Sequence, residues 1–452
     1  MNESAELLRE EKSTGNKLLY ASPRLSTSIV LGIEGFALLT LYTSGFGLDS
    51  ILVGFALAMG YLTIAAAQFL FGWLSDIKYT KLGRRKPYIL IFAPLLGLSI
   101  ICLLLPGLIL PDLGDQQLLF VWLLVWDIVF RASYAMTTPY QAWMAELFKV
   151  GDRPKVSQFQ NTFNFIGNGI MSIFTLLILT SYKDLVAVNI YAETPIIYTI
   201  PVFIFGILVV VLFYLLSFLM PTEPYYELKT NLIGSLKTTV KNRNFMLIVL
   251  MVGISGFGWT MISTGMLKYT EDALDLGGTD YYIIAATLLL SIFIFLYMWR
   301  KLIEKRGKKK VLIYVLLIAA FFLPITTLVL IPMGDYLILG IIFILGIGLI
   351  LGGWYLFPYI VYADVAEDDE KSTGDLKAGI YAGFPSIILN IFQAFGVFLN
   401  GIIFGLPLIS VGGGPSFTSG LVIFGPICAL ILLISFLYTD KYVTLDFEWE
   451  KK

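Results

Sequence analysis

Apolar stretches of about twenty residues recur along the whole chain, each bounded by a cluster of charged or turn-forming residues. A stretch of that length suits a helix crossing a bilayer, because the hydrocarbon core is roughly 30 Å thick and a helix rises about 1.5 Å per residue. The pattern predicts spans at residues 25–46, 50–75, 87–109, 118–146, 160–182, 196–220, 245–268, 281–300, 311–332, 336–363, 378–405 and 418–439. The connection at 221–244 is the longest on its side, and its stretch 231–242 reads as a short interfacial helix. It divides the chain into a tail (1–24), six spans (25–220), a linker (221–244), six more spans (245–439) and a second tail (440–452).

Charge adds an orientation. Of the 31 Lys and Arg residues, all but Arg131, Lys183 and Lys268 fall in the two tails and in alternate connections. Connections rich in Lys and Arg stay on the cytoplasmic side during insertion, so both termini are expected in the cytoplasm of a multi-pass plasma-membrane protein. The first 24 residues lack the apolar core of a cleaved signal, so the first span is expected to be retained. Only 14% of residues are charged, against roughly 25% in soluble domains. A net charge of −1 offers no basic face to nucleic acid. Histidine is absent, which removes imidazole ligands and leaves proton relays to carboxylates. Cys102 and Cys428 sit inside apolar runs without metal or redox spacing, so no metal and no cofactor is predicted.

The basic connections also carry motifs. "SDIKYTKLGRRKPY" after span 2 places Asp76 seven residues before Gly83, followed by Arg84, Arg85 and Pro87; a second basic run, "WRKLIEKRGKKKV", follows span 8. Gly83 and Gly307 lie 224 residues apart, close to half the chain, which fits two parallel six-span repeats. Three further stretches occur in order: "PYQAWMAELFKVGDR", "KNRNF" and "YADVAEDDEKSTGDLKAGIYAG". Together these resemble the loop D-x6-G-R-R-x-P, the helix 4 exit, the Asn-Arg pair before helix 7 and the acidic segment after helix 10 of the glycoside-pentoside-hexuronide:cation symporters and the sucrose transporters. The resemblance implies an all-α membrane protein of the major facilitator fold, with 12 transmembrane helices in two six-helix bundles. It further implies a secondary active transporter, not an enzyme, that moves a sugar or glycoside by alternating access as a proton-coupled symporter.

Ionisable residues inside the bilayer are costly and are therefore functional candidates. Glu34 lies in span 1; Asp127 and Arg131 lie in span 4 at i,i+4 spacing, where they either form an intrahelical ion pair or line a hydrated cavity. Helices 1, 4, 7 and 10 line the cavity in the family, so the resemblance brings Glu34, Asp127 and Arg131 to one site as candidates for proton coupling. The sodium-coupled bacterial members carry acids where this chain has Ile64, Gln68 and Thr137, and a Lys where it has Asn390. A hard cation requires carboxylate oxygens, so proton rather than sodium is the expected partner, with uncoupled transport as the alternative.

A sugar ring offers an apolar face and a rim of donors and acceptors. Gln68, Trp126, Asn161, Asn164, Asn168, Trp259, Asn390 and Gln393 are the candidates to meet it, and interhelical hydrogen bonding or packing is the competing reading for each. Asp76, Gly83, Arg84 and Arg85 are candidates for a gate in which Asp76 pairs with a cation of the loop, the lysines also serving as topology signals. Glycines around "VGISGFGW" and "LGIGLILGGW", with Pro358 and Pro385, permit close helix approach and bending. Other readings remain: a uniporter or exporter of a non-sugar organic solute in the same fold, a transporter-like sensor, and a membrane enzyme using the acids Glu367, Asp368, Asp369 and Glu370. The last lacks an aqueous domain for a large polar substrate.

Overall fold

The computed structural model describes residues 13–149, 152–223, 240–357, 361, 365 and 378–445. Among these, 12 helices are long and apolar enough to cross a membrane. They are α1 (Thr14–Gly45), α2 (Ser50–Ser75), α3 (Lys86–Leu104), α4 (Gln116–Met144), α5 (Lys155–Val188), α6 (Ile196–Leu219), α7 (Arg243–Ala273), α8 (Tyr282–Arg306), α9 (Lys308–Leu330), α10 (Leu337–Trp354), α11 (Phe384–Phe404) and α12 (Gly420–Tyr442). Large apolar side chains such as Phe218, Phe321 and Ile338 point outward, as expected where lipid rather than water is the solvent.

The helix ends differ from the hydropathy pattern where polar residues are helical. α1 begins at Thr14, not near residue 25: Ser13 caps Asn16, and Pro23 starts the following stretch, where its missing N–H costs nothing. α5 runs six residues beyond the predicted end, through a π-turn at Phe174–Leu179 and on to Val188. Residues 231–239, most of the predicted interfacial helix, lie outside the described residues, as do the acids 367–370 and the side chain of Asp76.

The chain forms two compact units. The first comprises Met1–Leu38, Ser44–Phe46 and Met59–Gly234; the second comprises Leu39–Thr43, Gly47–Ala58 and Ser235–Lys452. The backbone of α2 thus passes from one unit to the other between Ala58 and Met59.

Within the first unit, small residues bring helices close enough for direct van der Waals packing, the main source of helix association in lipid. A Cβ on Gly97 of α3 would stand 2.4 Å from the Gly206 carbonyl oxygen of α6, and one on Gly167 of α5 would stand 2.6 Å from that of Leu25 in α1. Asp115 caps α4 by accepting from Gln117 and Leu118 at 3.0 and 3.1 Å. The Tyr20 and Tyr140 hydroxyls each donate to the other residue's carbonyl, and Gln160 donates to the Tyr140 hydroxyl at 2.9 Å. Those bonds tie the polar first turns of α1 to α4 and α5, which explains why a stretch too polar to read as a span is helical.

Within the second unit, α7 is the central helix. Gly396 of α11 lies against the Phe257 carbonyl, Ser255 bonds Ser435 of α12 at 2.6 Å, and Asn400 donates to Met261 O and Thr264 Oγ1 at 2.8 and 2.7 Å. Gly54 at the start of α2 faces Gly401, where a Cβ would stand 2.7 Å from the opposing Cα. A two-stranded hairpin, β1 (Leu408–Ile409) with β2 (Phe417–Thr418), joins α11 to α12.

Candidate functional site

Three charged side chains meet in the interior of the first unit. Glu34 comes from α1 and Arg131 from α4, and the guanidinium holds the carboxylate through Nε at 3.1 Å and Nη2 at 2.7 and 2.6 Å. The pair is buried, with Glu34 2% and Arg131 3% exposed. Two donors on one planar fork fix orientation as well as charge, and the Arg131 guanidinium also lies 3.8 Å from the Tyr61 ring centroid of α2.

Asp127, one turn before Arg131 and 0% exposed, interacts electrostatically with both members of that pair. Neither of its oxygens has a hydrogen-bond partner among the described residues. The i,i+4 spacing had allowed an Asp127–Arg131 intrahelical pair; instead Arg131 turns to Glu34 on another helix. Gly60 makes room for the acid, since a Cβ there would stand 1.8 Å from Asp127 Oδ2. The trio is brought together, but it is enclosed by protein rather than exposed along an open pocket.

The other candidates divide. Asn164 accepts from Ser28 of α1 and so serves a helix contact in this conformation, whereas Asn161 is exposed and Asn168 half-buried. Trp126 packs on Trp122 at 5.6 Å between ring centroids, and Gln68 is half-buried. In the second unit, Trp259 stacks on Trp354 at 5.6 Å with an interplanar angle of 27°. Its indole N–H is buried and has no acceptor among the described residues. Asn390 is buried, and Gln393 lies next to Gly256, one turn from Trp259. Trp354 escaped the sequence reading because a Trp in an all-apolar run looks like packing.

The basic loop between α2 and α3 is built around Gly83, whose φ of +91° suits glycine. Gly83 and Thr80 exchange backbone hydrogen bonds at 2.9 and 3.1 Å. The carboxylate of Glu223, just past α6, accepts from the backbone N–H groups of Arg84 and Arg85, while its carbonyl accepts from the Tyr79 hydroxyl at 2.8 Å. Arg85 reaches Glu146 with Nη2 at 2.5 Å and Ser75 with Nη1 at 2.5 Å. Glu146 is the acid of the "MAEL" motif at the end of α4. Glu223 was missed by the sequence reading; its only signal is a lone acid between prolines in "PTEP", directly after an apolar span.

The family model for MFS/sugar transport proteins matches residues 19–439. The chain belongs to that family. The transporter is accordingly an integral multi-pass membrane protein, and its family consists of transporters rather than enzymes. No curated protein matches its sequence. Its fold is similar to that of the nucleoside transporter NupG, with a TM-score of 0.60, 12% identity, and coverage of 95% of this chain and 100% of that one. It is similar also to a D-xylose–proton symporter, with a TM-score of 0.63, 14% identity and coverage of 95% and 96%. A bacterial homolog of the human lysosomal transporter Spinster, in an inward-facing and unoccupied conformation, gives 0.64, 12%, 95% and 98%. At such identities the likeness speaks for the fold alone. The fold class and family expected from the motifs are both found.

Proposed function

We propose that the transporter carries a sugar or glycoside by alternating access as a proton-coupled symporter, with Asp127, Glu34 and Arg131 as its coupling residues. The observation that carries this reading is the Asp127 carboxyl, buried without a donor among the described residues beside an ion pair that is already complete. Glu34, Asp127 and Arg131, all ionised, sum to one negative charge on side chains almost wholly shielded from solvent. A buried unpaired charge costs several kcal/mol, and a single bound proton removes that cost. One proton is therefore what the trio lacks, and its release follows when the conformational change admits water or moves Arg131. Uptake of substrate is tied to that proton because both depend on the same rearrangement of α1 and α4.

A sugar as cargo is supported by the family and by groups suited to a pyranose, among them Trp259, stacked on Trp354, whose own indole N–H has no acceptor among the described residues. Bilayer-embedded transporter with both termini cytoplasmic, in the plasma membrane, is the topology proposed from the charge asymmetry. The division into bundles 25–220 and 245–439 belongs to the same reading.

Reconstituted vesicles supplied with labelled glycosides from outside test the assignment. With a pH gradient, inside alkaline, the wild type accumulates substrate uphill; Asp127→Asn and Glu34→Gln lose accumulation yet keep exchange down a gradient. Uphill uptake by both variants would remove the trio from coupling. Uptake indifferent to pH in the wild type would favour the uniporter reading.

A further inference from the structure

The outer face of α9 combines an apolar hollow with a cationic rim. Tyr314, Leu317, Ile318, Phe321 and Phe322 line an open groove of about 600 Å3 on that helix. Their spacing of 3, 4, 7 and 8 residues keeps them on one side of the helix. Phe321 is 80% exposed and Tyr314 is exposed as well, so the groove opens outward, while the Phe322 ring at its end lies against Gly346 of α10.

One turn before Tyr314, on the same side, stands Lys310. It is exposed and has no ion-pair partner among the described residues. The stretch from Arg300 to Lys310 holds seven cations and a single acid, Glu304, which Arg300 engages at 3.4 Å. The cations do not stabilise α9 through its dipole, because Lys and Arg are disfavoured at the positive amino end of a helix. Gly307 precedes α9 with a φ of +84° and no side-chain cap, and the first turn contains no acid. Lys309 Nζ donates to the Asp440 carbonyl at 2.9 Å and Arg300 engages Glu304, which leaves Lys310 as the exposed cation at the head of the groove.

Distance decides what fits. From Lys310 to Phe321 the helix rises about 16 Å, close to half of a hydrocarbon core of roughly 30 Å. A ligand with an anionic end and an acyl tail one leaflet deep spans the rim and the groove together. We propose that a single anionic phospholipid binds here, its phosphate against Lys310 and one acyl chain along Tyr314–Phe322. Basic pockets at the membrane edge are suited to such headgroups, and the tail distinguishes a lipid from a soluble phosphate. The bland alternative is that these cations act only as an insertion signal, which asks nothing of lipid identity.

The test uses the full-length transporter in detergent, titrated with palmitoyl-oleoyl phosphatidylglycerol or phosphatidylcholine and read by native mass spectrometry. One phosphatidylglycerol should be retained in preference to phosphatidylcholine. Lys310→Gln should lower that preference about fivefold, the share of one lysine near a membrane surface. Phe321→Ala should weaken retention of both lipids. Lys305→Gln, an exposed cation of α8 off the groove face, should leave the preference intact; all three side chains are exposed, so folding is not at issue. The proposal is overturned if Lys305→Gln acts as strongly as Lys310→Gln, if the two lipids are held alike, or if inorganic phosphate displaces the bound species.

Discussion

At Gly60 no side chain is admissible without displacing Asp127, because a Cβ would lie 1.8 Å from the carboxyl oxygen and 3.0 Å from Arg131 Cγ. Gly60→Ala should lower thermal stability by about 1–3 kcal/mol, the usual cost of overpacking. It should also abolish proton-driven uptake, and a Gly60→Ala protein with normal melting and normal uphill transport would show that the acid has freedom the packing denies. A second residue-scale effect is outside the membrane. The Tyr191 hydroxyl donates to Asp112 at 2.7 Å and holds its carboxyl below the usual range, with help from the Gly114 N–H. A depressed carboxylate contributes stability above its ordinary pKa and loses it as pH falls through the lowered one. Melting curves of wild type and Tyr191→Phe should therefore differ at neutral pH and converge under acid conditions. The effect should be small because the pair is exposed.

At the scale of elements, the α2–α3 loop depends on an acid supplied from the end of α6. Glu223→Ala leaves the buried N–H groups of Arg84 and Arg85 without their acceptor, at roughly 1–3 kcal/mol for each group left unmade. Proteolysis between Lys78 and Lys86 should quicken in that variant, and Glu223→Gln should restore part of the protection through its remaining carbonyl oxygen. The helices themselves were legible because apolar runs bounded by charge have one physical meaning in a chain this hydrophobic. Glu34, Asp127 and Arg131 were legible for the same reason: a charge inside such a run demands an explanation. Their pairing was not, since i,i+4 spacing favours Asp127 and Arg131 equally with an interhelical choice that depends on how α1 lies beside α4. Glu223 and the helical stretch from Thr14 were hidden because their support comes from long-range contacts, Glu223 to Arg84 and Tyr20 to Tyr140.

At the scale of the whole molecule, the sequence suggested a division in the 221–244 linker, whereas contacts also allot Leu39–Thr43 and Gly47–Ala58 to the second unit. Nothing in the hydropathy of α2 marks the change, because an apolar residue packs as readily on one neighbour as on another. Within the second unit, residues 50–58 are held by close approach: a Cβ at Gly401 would stand 2.5 Å from Ser50 O and 2.8 Å from Gly54 Cα. Gly401→Val should push that part of α2 away. We expect slower uptake at saturating substrate with equilibrium substrate binding unchanged; weakened binding with normal turnover would contradict that assignment.

The seam in α2 lies between Ala58 and Met59, and Gly60, the residue that touches Asp127, follows directly. A change of torsion at this step of α2 passes at once to the backbone that carries Gly60. The first thing such torsion disturbs is the wall of the acid's compartment, so mechanical displacement and proton occupancy would be read by the same few atoms.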